Sequence, residues 1–453
     1  MANSIPRRVV ITGLGLVSPL GSTVESVWDG LTAGRTGIDY LKSLPFGTLP
    51  LRWGAEVREF TGQVEDFGPL EKDQMRSIRK SVKVMCREIQ MGVAAAQRAL
   101  HHAGLKPGDY DADRTGVVFG SDYILSDPGE FVDAIASCLD EHRRFDYRQW
   151  VDHGMPKITP LWLLKYLPNM PASHIAIFND LRGPSNSVTM REVSSNLAIG
   201  EACQLIARGS ADTMVAGATG TRVHPVKTLH VLLQEEVATE GDEPGRVCRP
   251  FDLNRSGMVL GEGAGAIVLE SLETAQRRGA TILAEVTGSG SSAVVDRRGI
   301  GDTRAAVRNA LQQALRGARI PPEEVGHIHA HGASTRRSDA LEAQGIHDIF
   351  SVRRTPVPVA ATKGYFANSG ASGGAIELIT SVLALRNQRL FPVLNYESPD
   401  PECPVDVVRS ADVHPGNSFI NLNVTHQGHA STVCVQLLNS IPGVDGSPAV
   451  PAV

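Results

Sequence analysis

No two of the six cysteines in this 453-residue chain form a CxxC pair. Cys86, Cys138, Cys203, Cys248, Cys403 and Cys434 are scattered, without the spacing of a disulfide framework. That usage suits a reduced, cytoplasmic compartment. A strong charge of either sign is also missing: the net charge of −5 leaves no electrostatic footprint for nucleic acid or a membrane surface. No stretch is long and apolar enough to span a bilayer. The opening residues Met1 to Arg8 carry no apolar signal region and lead straight into a strand. What the chain does have is a 42% hydrophobic content, enough for one large core or two fused ones. Its 45 glycines cluster where strands hand over to helices.

The pattern is one of alternation. A strand over 8–15 precedes a helix opening near Ser22 and Thr23, a long helix is expected over 77–103, and 116–120 reads as a buried strand. The stretch 123–168 is charged, aromatic and broken by prolines, and reads as an irregular or helical insertion over the core. An apolar run then turns sharply near residue 192 into an amphipathic helix, followed by a strand at 213–218. The second half repeats the alternation: strands near 282–288, 325–330 and 357–361, helices near 303–316, 338–350 and 371–385. Buried strands alternating with helices argue for an α/β fold with mixed or parallel sheets. The two halves read as one repeated unit, 1–265 and 266–439, and the Pro-, Gly- and Ala-rich tail 440–453 is expected to be disordered.

Each chemical signal has a plainer counterpart. The runs Gly13-Leu14-Gly15 and Gly288-Ser289-Gly290 begin like dinucleotide fingerprints but lack the third glycine, so both read as strand-end turns rather than an NAD site. His327, His329 and His331 alternate on a strand and share one face. Three such histidines can hold zinc, but the stronger reading makes only His331, at the strand–turn junction, functional. Lys363 ends a strand before a Gly-rich turn, where α/β folds gather catalytic groups, although a surface lysine would look the same. His426 and His429 fit either a loop or the same cleft. Glu192 matches a capping box with Thr189, in which its carboxylate bonds back to the helix start.

Taken together these segments resemble the β-ketoacyl-acyl-carrier-protein synthases. The most specific piece runs from Arg249-Pro250-Phe251-Asp252 to Gly261-Glu262-Gly263-Ala264-Gly265. The opening Val9 to Gly21, Pro168-Asn169-Met170, and Ala330-His331-Gly332-Ala333-Ser334-Thr335 with Asp339 and Glu342 are also similar. The resemblance implies a thiolase-like, five-layer α-β-α-β-α sandwich of two βαβαβαββ halves, normally dimeric. It implies an acyl carrier protein as partner and acyl or malonyl thioesters as ligands. No cofactor is implied, because phosphopantetheine arrives on the carrier.

In that family an elbow cysteine accepts the acyl chain and two histidines assist decarboxylation of the malonyl unit. Here the nucleophile position falls on Glu192, the first histidine on His331 and the family lysine on Lys363. The second histidine falls on Asn368, in a turn one residue shorter than usual. The glycine-rich oxyanion loop becomes Val424-Thr425-His426-Gln427-Gly428. The expectation that follows is a subunit like the chain-length factors, paired with a cysteine-containing synthase, with Glu192 a plug ion-paired to Lys363 or His331. The alternatives are a malonyl-carrier-protein decarboxylase using His331 and Asn368, with a protonated Glu192 as donor, or a condensing acyltransferase that works without covalent transfer.

Overall fold

The computed structural model describes residues 6–44, 47, 49–241 and 243–438; the tail 440–453 lies outside the described residues. The strands of the first half are β1 (Val9–Val17), β2 (Asp39–Tyr40), β3 (Trp53–Gly54), β4 (Thr115–Ser121), β5 (Ser185–Val188), β6 (Thr213–Thr221) and β7 (Glu262–Ser271). Those of the second are β8 (Ala284–Ala293), β9 (His327–His329), β10 (Pro358–Ala360), β11 (Asp406–Val407), β12 (Ser418–Val424) and β13 (His429–Gln436). Apart from the small β2–β3 pair they run as β11-β10-β9-β12-β13-β8-β1-β7-β6-β4-β5.

One pattern occurs twice along that row. β5, β4 and β6 are parallel neighbours, followed by antiparallel β7 and β1. β10, β9 and β12 are likewise parallel, followed by antiparallel β13 and β8. The units meet where β1 pairs with β8, Ile11 opposite Ala284. Helices Ser194–Ala207 and Gly373–Arg386 are sandwiched between them and touch strands of both. In the latter every residue but Leu383 and Arg386 is buried, so it shows no amphipathic stripe. Helices Arg87–His102 and Met170–Asn179 cover the first unit outside, Thr303–Ala318 and Arg336–Phe350 the second. The result is the five-layer sandwich.

The two glycine runs expected to be turns lie inside strands. A Cβ on Gly13 or Gly15 would strike the carbonyls of Ala99 and Ala95 in helix Arg87–His102. A Cβ on Gly288 or Gly290 would strike those of Ala314 and Ala310 in helix Thr303–Ala318. Glycine is needed here for close helix–strand approach, at equivalent places in both units. The long helix expected over 77–103 is also broken. Lys72–Ser81 ends, a 3-10 turn covers Val82–Val84, and Cys86 is extended before Arg87–His102 begins. The β-branched pair Val82 and Val84 explains a weak helix there. Stretch 123–168 folds as short helical turns and exposes Val132, Tyr147, Val151 and Leu161. Among the described residues no helix is long and apolar enough to cross a membrane.

Candidate functional site

The chain leaves β5 and enters helix Ser194–Ala207 through a strained elbow. Arg191 has φ 56°, left-handed for a residue with a side chain, and Arg191–Val193 forms a 3-10 turn. The capping box anticipated from Thr189 and Glu192 does not form. Ser194 Oγ accepts the Met190 amide at 2.8 Å instead, and the Glu192 carboxylate turns inward.

There it meets arginine. Arg222, at the end of β6, donates from Nη2 to Glu192 Oε1 and from Nη1 to Glu235 Oε1 at 3.0 Å. Arg191 also donates to Glu235, and His426 Nδ1 lies 3.3 Å from Glu235 Oε2. The side chains of Arg222, Glu192 and Glu235 are 2%, 3% and 5% exposed, so this is a buried ionic cluster. Desolvation works against the Arg222 charge, yet Glu192, Glu235 and Asp122 raise its pKa above the ordinary guanidinium value. Desolvation likewise opposes the Glu235 charge, but Arg222, His426 and Arg191 hold that carboxyl far below its usual range. In place of the expected partner for Glu192, Lys363 or His331, the structure supplies Arg222. Lys363 is already taken, donating to Glu377 and to the His331 carbonyl at 2.9 Å.

His331 follows β9. Its backbone amide and that of Gly332 bond to the two Glu342 oxygens at 2.6 and 2.9 Å. Asp339 accepts from the amides of Phe251, Ser334 and Thr335. Burial pushes Glu342 up to about 8 and Asp339 up to about 6. These two carboxyls therefore hold the 331–335 loop in shape from behind.

The His331 ring is neutral, because burial first, then Lys363 and Arg222, drive its pKa well below the ordinary value. Asn423 sets its tautomer. The Asn423 amide oxygen accepts from Asn196 at 2.9 Å, and its nitrogen donates to Glu377 at 2.6 Å and faces His331 Nδ1 at 3.3 Å. An amide nitrogen only donates, so Nδ1 accepts and Nε2 carries the hydrogen. Asn423→Ala is expected to replace one dominant tautomer with a mixture, seen in the ring 15N shifts; unchanged shifts would remove Asn423 from this role. Asn368 is equally fixed: its Oδ1 accepts from the Gly370 amide at 3.0 Å, and its Nδ2 lies 3.5 Å from Met258 Sδ.

A cavity of about 270 Å³ brings together Glu192, His331, Thr335, Asn368 and His426, with Glu235 beside them. Lys363, Asp339 and Glu342 are not on its wall; they act through the His331 loop. Thr425 and Gly428 shape the β12–β13 turn, the latter at φ 81° with its amide 3.2 Å from the Thr425 carbonyl. Only Val424 and His426 of that turn reach the cavity, and His429 begins β13 without lining it. Both ring nitrogens of His327 and of His329 are engaged, by Ser381 with the Pro415 carbonyl and by Ser381 with Thr362. Burial pushes the thiols of Cys86, Cys203, Cys248 and Cys403 up to about 12 and that of Cys434 to about 11. Arg222, Glu235, Glu377 and Asn423 carry no local motif, and nothing in the sequence points to them.

Comparison with known proteins adds an independent line. Models of the beta-ketoacyl synthase N-terminal and C-terminal domains match residues 6–275 and 283–397. The chain is 34% identical over 403 residues to 3-oxoacyl-(acyl-carrier-protein) synthase 2 of Coxiella burnetii, covering 89% of this chain and 91% of that protein. Among solved structures, the ishigamide ketosynthase/chain length factor is similar at TM-score 0.80 and 26% identity, over 95% of this chain and 99% of that one. A beta-ketoacyl synthase from Burkholderia phymatum is similar at TM-score 0.81 and 28% identity, over 95% of this chain and 100% of that one.

Proposed function

The chain belongs to the beta-ketoacyl synthase family, and from that premise we propose that it is a non-condensing member. It is a subunit of chain-length-factor type that pairs with a cysteine-bearing synthase and serves an acyl carrier protein. The observation that carries this reading is the buried ion pair of Glu192 with Arg222 at the elbow. A carboxylate locked in that way offers no thiolate, and an acyl group on it would be a mixed anhydride, open to hydrolysis. The raised thiols named above offer no ready substitute. Similarity to a ketosynthase/chain length factor supports the assignment.

Association has surface to work with. Ser185 and Asn186 of edge strand β5 are exposed, and the neighbouring insertion leaves large apolar side chains in solvent. Purified from its native source, the protein is expected to bring down a second, cysteine-containing synthase chain. An isolated homodimer with no such partner would count against the assignment. Intact-mass measurement after exposure to acyl-carrier protein is expected to show no acyl adduct on this chain.

One observation favours a second reading. The neutral His331, with its hydrogen on Nε2, and the Asn368 amide line the same cavity, which suits stabilising an enolate oxygen. That pair would serve decarboxylation of malonyl-carrier protein, or condensation without covalent transfer. Appearance of acetyl-carrier protein supports the first and a ketoacyl product the second; with the fold intact and neither formed, both are excluded.

A further inference from the structure

The cavity stops at charge. Glu192 and Glu235 stand on its wall and Arg222 lies directly behind them, bonded to both. Next comes Asp122, 3% exposed: a Cβ built on Gly370 would lie 2.8 Å from Asp122 Oδ2 and 3.2 Å from Arg222 Nε, so the two groups flank one glycine. Beyond Asp122 is a second sealed ion pair, Lys227 Nζ to Glu88 Oε2 at 2.6 Å, both side chains 2% exposed. The Asp122 charge raises the pKa of Arg222 and of Lys227 alike, which marks the groups as one electrostatic layer. It runs from the cavity wall at the elbow to Tyr123, where the insertion starts and whose ring lies 5.4 Å from Lys227 Nζ.

An alkyl chain needs an apolar sleeve. Each methylene moved from water into one gains about fourfold in affinity (about 0.8 kcal/mol). Here a chain growing past Glu192 would instead have to part buried ion pairs and leave their charges facing hydrocarbon, which is strongly unfavourable. The room on the near side is small as well. At about 270 Å³ the cavity lies below the ~300–1,000 Å³ usual for small-molecule sites. Met258, Leu341 and Val424 give it enough apolar wall for a slender arm.

We propose that this ionic layer restricts the cavity to a carrier-type thioester arm bearing a short head such as acetyl or malonyl, and excludes fatty or polyketide chains. The inference rests on the second reading above, in which the cavity receives a carrier-bound thioester. The layer then acts as the specificity element of the subunit, with Arg222 at its centre and the Asp122 carboxylate close by.

The test is a chain-length series on the full-length protein, using pantetheine amides in which nitrogen replaces the thioester sulfur, read by isothermal titration. Acetyl-pantetheine amide is expected to bind, and the octanoyl and hexadecanoyl amides to bind at least tenfold more weakly in competition with it. Affinity that instead climbs about fourfold per added methylene overturns the proposal while leaving the thioester site standing. No binding at any length overturns both. As a second arm, Glu192→Ala combined with Arg222→Leu is expected to bring octanoyl binding up to the acetyl value or above. A folded double variant that still rejects octanoyl would move the block elsewhere, and if it does not fold the wild-type series decides alone.

Discussion

Arg222→Met is expected to cost the protein about 3–5 kcal/mol of stability, the range for breaking a buried ion pair by removing one partner. The argument turns on what remains. Glu192 and Glu235, both almost fully buried, would be left close together with the direct guanidinium bond to Glu192 gone. Arg191 and His426 reach Glu235, but among the described residues only Arg191 stands within ion-pair distance of Glu192 once Arg222 is gone, at 3.6 Å. Glu192→Gln keeps the shape and an acceptor oxygen for Arg222, and so is expected to cost less than half as much. Removing one charge of each sign, as in Arg222→Met with Glu192→Leu, leaves Glu235 paired to Arg191 and His426 and is expected to recover most of the loss, because a well-packed apolar replacement of an ion pair is often neutral. Urea midpoints and slopes for the series measure this. If Arg222→Met unfolds within about 1 kcal/mol of the wild type, water reaches the two carboxylates and the cluster is not sealed.

That cluster also marks where the sequence stops being informative. Strand and helix alternation, the duplicated units and the turn at residue 192 are written in local pattern, since apolar periodicity and glycine placement act over a few residues. His331 and Lys363 stand out because each follows a strand, where α/β folds gather chemistry, whereas Asn368 stands out only through the family resemblance. Partners are not legible. Arg222 meets Glu192 across 30 residues, Asn423 meets His331 across 92, and Glu377 meets Lys363 from the next helix. Such pairings are set by how β6, β12 and helix Gly373–Arg386 pack, and no spacing rule encodes them. The capping box fails for the same reason. Spacing allows Glu192 to bond backward to its own helix, but a buried guanidinium a few ångströms away is the stronger partner for a carboxylate. Glycines 13, 15, 288 and 290 mislead because a turn and a close helix contact demand the same residue. Only the packed helix distinguishes the two.

Glu192→Cys is expected to create a thiol that reacts far faster than the native cysteines whose thiols burial raises. A cysteine there would sit one turn before helix Ser194–Ala207, beside Arg222 and Arg191, in a setting that lowers a thiol to near ~7. The native thiols with values near 12 are held there by burial. At pH 7.5 that gap is worth about four orders of magnitude in thiolate fraction. The more acidic thiolate is intrinsically less nucleophilic, by roughly two orders over the same gap. The surplus leaves the introduced thiol reacting with iodoacetamide about a hundredfold faster than any of those native cysteines, and peptide mass mapping reads this directly. Acetyl transfer from acetyl-pantetheine should then label the variant at residue 192 and leave the wild type unlabelled. Alkylation of the introduced thiol without acetyl transfer would mean that the elbow activates a thiol but that the cavity does not deliver a thioester to it. Equal, slow labelling of position 192 and the native thiols would mean that the arginines, held by Glu235, no longer act on that residue. In either case the departure from condensing chemistry would lie in more than the loss of one sulfur atom.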